Sequence, residues 1–156
     1  MSATATTESI VSSSASIKER YILTQVGAWV LIFPARWVAE IFRIQRSQIL
    51  DLPFYQSPLS GVTHHNSQII PLASAHQVLQ TQENTLRETV TVLQLNRKAE
   101  RLTNMGIIVD RTLGSASKEQ LSPSVLTSQA LYPQGTDSQV LFQPDWFPPD
   151  LWHPQG

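Results

Sequence analysis

The sequence predicts a mainly β protein with one or two short helices. Three observations carry that prediction: short alternating or β-branched apolar runs recur along the chain, Gly and Pro punctuate them, and no long stretch keeps a helical period. The ordered part begins at Tyr21, where YILTQV sets Tyr21, Leu23 and Gln25 on one face and Ile22, Thr24 and Val26 on the other. Gly27-Ala28 then reads as a tight turn. Trp29 to Phe33 is a continuous apolar run ended by Pro34, as expected of a strand buried on both faces, so the two segments make a hairpin. Arg36 to Ile44 fits a helix through Val38, Ile41 and Phe42, or a strand in which Val38, Glu40, Phe42 and Ile44 share a face.

Gln45 to Ser60 reads as a long surface connection anchored by Leu52 and Phe54. Gly61 to Leu72, GVTHHNSQIIPL, reads as a loop-opening glycine leading into an alternating strand that Pro71 stops. Ala73 to Gln80 suits a short helix, and Thr81 to Arg87 a loop. Thr89 to Leu95, with Val90 and Val92, is a strand, and Gly106 to Val109 is a short central one joined to it by the polar Asn96 to Asn104. Beyond Gly114 the signals weaken until a brief strand at Gln139 to Phe142. The chain divides into a disordered N-terminal tail over 1–17, one domain over 18–143 and a Pro/Trp-rich C-terminal segment over 144–156.

Composition excludes several classes of function. At 156 residues there is room for one ordinary core, and 11 basic against 12 acidic residues leave no electrostatic footprint for nucleic acid. With 0 cysteines there are no disulfides or thiolate metal sites, which fits a cytoplasmic location. The most apolar run, Val26 to Ala35, is broken by Gly27 and Pro34 and is far shorter than the roughly 20 residues of a membrane helix. The segment before Lys18 lacks the basic and apolar parts of an export signal.

No motif supplies a catalytic site or a cofactor. Ser60-Gly61 is a turn without a nucleophile elbow around it, and no Gly-rich loop leads into Lys-Ser/Thr. His64 and His65 are adjacent on a strand and face opposite ways, so they do not share a metal ion; one exposed and one half-buried histidine is the expectation. Arg36, Arg43 and Arg46, and likewise Arg97, Lys98 and Arg101, read as solvated surface. Glu40, a charge between apolar neighbours, suits either an interface rim seeking a basic partner or an edge strand that discourages aggregation. The aromatics of Asp145 to Trp152 either cover a barrel edge in cis or bind another protein.

Four blocks, in order, resemble the CheW-like adaptors of bacterial chemotaxis over about Tyr21 to Val140. The hairpin YILTQVGAWVLIFPARWVAEI is similar to the family's opening strands, with Val38, Glu40 and Ile41 on its V-x-E-I element. GVTHHNSQIIPL resembles G-V-x-N-L-R-G-x-x-I-P-V at Gly61, Val62, Ile70 and Pro71, Thr89 to Leu95 the strand after the variable loop, and MGIIVDRTLG the family's G-L-L-V-D-x-V-L-G. The resemblance implies a pair of small SH3-like β-barrels, a non-enzymatic scaffold without cofactors, and two partners. These are the regulatory domain of a CheA-type histidine kinase and the cytoplasmic tip of methyl-accepting chemoreceptors, with membrane contact only through the latter and an output in chemotaxis or pilus-driven motility. Val38, Glu40, Gly61, Val62, His64, Asn66 and Val90 are the implied protein-binding residues. Asn66 replaces the family's Arg and so alters partner choice; a divergent barrel with other protein partners, or a small hydrolase using His64, His65 and His76, are the alternatives.

Overall fold

The computed structural model describes residues 19–55, 58–82, 87–127 and 138–152, so the expected 1–17 tail lies outside the described residues. Among the described residues, ten strands and two single-turn α-helices follow one another: β1 Arg20–Val26, β2 Trp29–Pro34, β3 Val38–Gln45, β4 Leu50–Asp51, β5 Leu59–His65, β6 Gln68–Ser74, α1 Ala75–Val78, β7 Thr89–Leu95, β8 Gly106–Val109, β9 Arg111–Ser117, α2 Pro123–Thr127 and β10 Gln139–Leu141. The strands form a four-stranded sheet, β10-β2-β1-β9, and a six-stranded sheet, β3-β7-β8-β6-β5-β4. The architecture is mainly β, as the sequence predicts.

The opening hairpin pairs Tyr21 with Pro34 through to Val26 with Trp29, across a two-residue turn begun by Gly27 at φ +62. Only a residue tolerant of left-handed backbone suits that place in a tight hairpin. Leu31, Ile32 and Phe33 are each at most 1% exposed, so β2 is covered on both faces. Leu31 and Phe33 join the largest core cluster, which draws Leu93 and Ile107 from the other sheet, while Ile32 packs with Tyr21, Leu121 and Val125 on the opposite side.

Several expectations are corrected. Pro71 does not end a strand: it stands inside β6, just before the Leu72–Ser74 stretch that pairs with β8, where its missing N–H does not interrupt that ladder. Of the two expected anchors, Leu52 packs against the core while Phe54 is 64% exposed. The stretch beyond Gly114 continues β9 to Ser117, an edge strand held by backbone pairing to β1 and not by an apolar stripe. Arg101 is no idle surface cation, since its guanidinium donates to the carbonyls of Pro144, Phe147 and Pro148 at 2.9, 2.6 and 3.0 Å. That clamp holds the Pro/Trp segment against the core, where Phe147 and Leu151 are each 1% exposed and Trp152 Nε1 donates back to the Arg101 carbonyl.

The two sheets are also tied through a polar joint. Asp110, between β8 and β9, accepts from the Gly27 N–H of the β1–β2 turn at 2.7 Å and meets His76 Nε2 of α1 at 2.7 Å. Burial alone would raise its carboxyl, but the Gly27 hydrogen bond, the His76 ring and the Arg87 charge outweigh it and hold the Asp110 pKa below the ordinary carboxylate value.

Candidate functional site

The stretch Gly61 to Leu72 folds as a hairpin, not as one strand. Asn66 and Ser67 form its two-residue turn with φ of +49 and +63, the pair of left-handed residues that a type I′ turn needs, and His65 pairs with Gln68 across it. Asn accepts that backbone more readily than most residues, which explains its place at the tip.

Three strands separate β3 from β5 in the sheet order, yet the ends of these strands touch. The His65 ring stacks on Phe42 with centroids 3.7 Å apart and planes 7° apart, and its Nε2 lies 3.0 Å from Glu40 Oε1. Asn66 Nδ2 donates to the other oxygen, Glu40 Oε2, at 3.3 Å. The six-stranded sheet therefore coils back on itself, around a cluster built from Phe42, Ile44, Ile70, Leu72, Val92 and Ile108.

A β-bulge at Ala39 turns Glu40 toward that contact. Val38 pairs with Leu95 and Glu40 with Gln94, and since directly paired residues share a face while adjacent ones do not, Val38 and Glu40 face opposite ways. The expectation that they share a face is thus overturned. Glu40 lies with Phe42 and Ile44, while Val38 packs against the core that joins the two sheets.

The outer face of the same hairpin is apolar. Val62 stands in register between Leu50 of β4 and Pro71 of β6, and His64 opposite Ile69, so these five residues share one strip without a carboxylate, Lys or Arg. Leu50 is 66% and Ile69 71% exposed, and His64 is exposed beside them. Such side chains in solvent forgo about 1.5–3 kcal/mol each relative to full burial.

Of the residues singled out in the sequence, Val62 and His64 lie on this strip, and Glu40 and Asn66 meet at the turn beside it. Gly61 and Val90 are elsewhere. Gly61 is buried where a side chain would strike the Leu50 carbonyl, and Val90, 4% exposed, belongs to the cluster inside the coiled sheet. Sequence reasoning missed Leu50 and Ile69; the signal for Ile69 was its neighbour Ile70, since one residue of an adjacent pair in a half-buried strand must face out. His64, His65 and His76 do not converge. His64 faces outward, His65 turns to Glu40 and His76 is bonded to Asp110, and among the described residues no group of three or more His, Asp or Glu is placed to hold a metal ion. Also among these residues, no helix is long and apolar enough to cross a membrane.

Residues 20–135 match the CheW-like domain family. Among solved structures, the chain is similar to the scaffolding protein TtCheW from Thermoanaerobacter tengcongensis, with a TM-score of 0.55 and 11% identity over 72% of this chain and 75% of that one, a likeness of fold. No curated protein matches the chain.

Proposed function

The chain belongs to the CheW-like domain family, and from that premise we propose that it is a non-enzymatic scaffold coupling chemoreceptors to a CheA-type histidine kinase, in chemotaxis or pilus-driven motility. The similar solved protein is itself a scaffolding protein. The work is contact, done in the cytoplasm with the membrane reached only through receptors.

The observation that carries this reading is the outer strip Leu50, Val62, His64, Ile69 and Pro71, which holds no carboxylate, Lys or Arg and whose Leu50 and Ile69 stand mostly in solvent. Burying apolar area there against a partner supplies roughly 25 cal/mol per Å², and His64 adds a hydrogen-bonding group that fixes register. Val38, Gly61 and Val90 serve from beneath by shaping the strands, and Glu40 and Asn66 act at the turn.

The test is binding of the purified chain to the kinase regulatory domain and to a receptor tip fragment, measured by calorimetry. Ile69→Asp puts a charge into the strip at an exposed position, so it leaves the fold intact by circular dichroism and weakens at least one partner about tenfold or more. Unchanged affinity for both partners removes the strip from the function.

A further inference from the structure

We propose that Asp110 is a positioning residue that sets the angle between the two sheets, and with it the relative placement of the partners that the scaffold joins. The chain passes between the sheets twice, from β2 to β3 through the Ala35–Trp37 turn and from β8 to β9 through Asp110 alone. Two such crossings define an axis about which packed layers can rock, because the apolar core between them, where Leu31 and Phe33 meet Leu93 and Ile107, attracts without fixing direction. Directional bonds at a crossing remove that freedom.

Asp110 makes such bonds with its backbone N–H, its carbonyl and both carboxylate oxygens. Its N–H donates to the Gln25 carbonyl of β1 at 2.9 Å and its Oδ2 accepts from the Gly27 N–H at 2.7 Å, both in the hairpin of the four-stranded sheet. On the other side, its carbonyl accepts from Arg87 Nη1 at 3.2 Å, just before β7, and its Oδ1 meets His76 Nε2 at 2.7 Å, in the helix that continues β6. Two bonds thus enter each sheet. Gly27 suits this close approach: a β-carbon there would lie 2.8 Å from Thr81 Oγ1 and 3.6 Å from His76 Cε1, so a side chain would crowd the meeting of the turn with α1 and Thr81.

The consequence for partners rests on the contact reading of the outer strip. That strip lies on β4, β5 and β6, wholly within the six-stranded sheet, so a second contact made by the four-stranded sheet stands to it at the angle that Asp110 sets. Losing the carboxylate lets the two contacts swing relative to one another while each surface stays intact.

The angle is measured on the isolated chain, without any partner, by residual dipolar couplings of the backbone amides in the two sheets. In the native chain one alignment tensor fits both sheets. In Asp110→Ala the sheets need separate tensors, and the misfit to a common one rises about twofold or more as they rock about the crossings. Val92→Ala, which empties part of the core within the six-stranded sheet, lowers stability without changing the common fit, and so separates positioning from general weakening. Should Asp110→Ala fail to fold, His76→Leu, which removes one of the four bonds, takes its place. A common tensor that survives in the folded variant, or a misfit no larger than that of Val92→Ala, overturns the positioning role, as does a native chain that already needs two tensors. Because no partner is present, that failure is distinct from failure of the strip, which the Ile69→Asp binding measurement decides.

Discussion

His76 Nε2 stands 2.7 Å from Asp110 Oδ1, with the His76 side chain 3% exposed, at the point where the six-stranded sheet hands the chain to the four-stranded one. The carboxylate also takes the Gly27 N–H, so one side chain fastens α1 and the β1–β2 turn to the crossing between β8 and β9. Its pKa is held below the ordinary value by these bonds and by Arg87, against the raising effect of burial. A depressed folded pKa means the ionised group stabilises the fold above the unfolded value of about 3.9, and that this contribution is lost as pH falls through the folded one. Asp110→Asn is expected to lower stability by about 1–3 kcal/mol at neutral pH, by disturbing buried hydrogen bonds. Urea midpoints measured from neutral pH into the range below about pH 4 should show the native chain converging on the variant; a constant gap would show that ionisation of Asp110 contributes nothing.

Arg101 supplies a second joint, with a guanidinium reaching three carbonyls of the Pro144–Pro148 stretch. Arg101→Ala leaves those carbonyls to water and frees the segment whose Phe147 and Leu151 fill the core, at an expected loss of about 1–3 kcal/mol. Lys is not a substitute, because a single ammonium lacks the planar fork that reaches all three. Tryptophan fluorescence checks this, since Trp146 packs on Phe142 and Trp152 is bonded to Arg101: both variants should show a red-shifted emission at lower denaturant than the native chain.

The parts of this fold that were legible in the sequence are those whose cause is local. Thr89–Leu95 and Gly106–Val109 announce themselves by β-branched apolar runs, and Gly27 marks the first turn because that backbone excludes most other residues. What escaped depends on partners distant in the chain. The Ala39 bulge is a matter of register against β7, and it moved Glu40 to the face opposite Val38 without changing the local pattern. The turn at Asn66-Ser67 lacks the Asn-Gly signature, so the hairpin read as one strand. β9 is small and polar, and only pairing with β1 makes it a strand. The contact of His65 with Glu40 follows from coiling of the whole sheet, which no run of neighbours encodes.

Gly61 tests how β4 is held. A β-carbon there would lie 2.4 Å from the Leu50 carbonyl oxygen and 3.0 Å from Ile49 Cγ2, and the first of these is backbone that cannot swing aside. Gly61→Ala should push the two-residue β4 off β5, costing about 1–3 kcal/mol in a denaturation series, with loss of hydrogen-exchange protection centred on Leu50–Asp51. Because Leu50 forms one end of the outer strip, partner binding should weaken in the same variant. Retained protection at β4 would show that the strand accommodates the methyl group.

The turn offers a change that should stabilise. Ser67 sits at φ +63, where a side chain crowds the backbone at a cost of roughly 1–2 kcal/mol that glycine does not bear. Glycine loses about 0.5–1 kcal/mol through its freer unfolded chain, so Ser67→Gly is expected to gain about 0.5–1 kcal/mol net and a higher melting temperature. The same reasoning gives the opposite result one residue earlier: Asn66 also has a positive φ, but its Nδ2 donates to Glu40 Oε2, and Asn66→Gly would forfeit a hydrogen bond to a carboxylate worth about 1.5–3 kcal/mol. Thermal denaturation of the two variants side by side separates backbone strain from the Glu40 fastening. A gain in both would mean that the Asn66 contact with Glu40 carries no weight, and a loss in both that the turn backbone is not strained at Ser67.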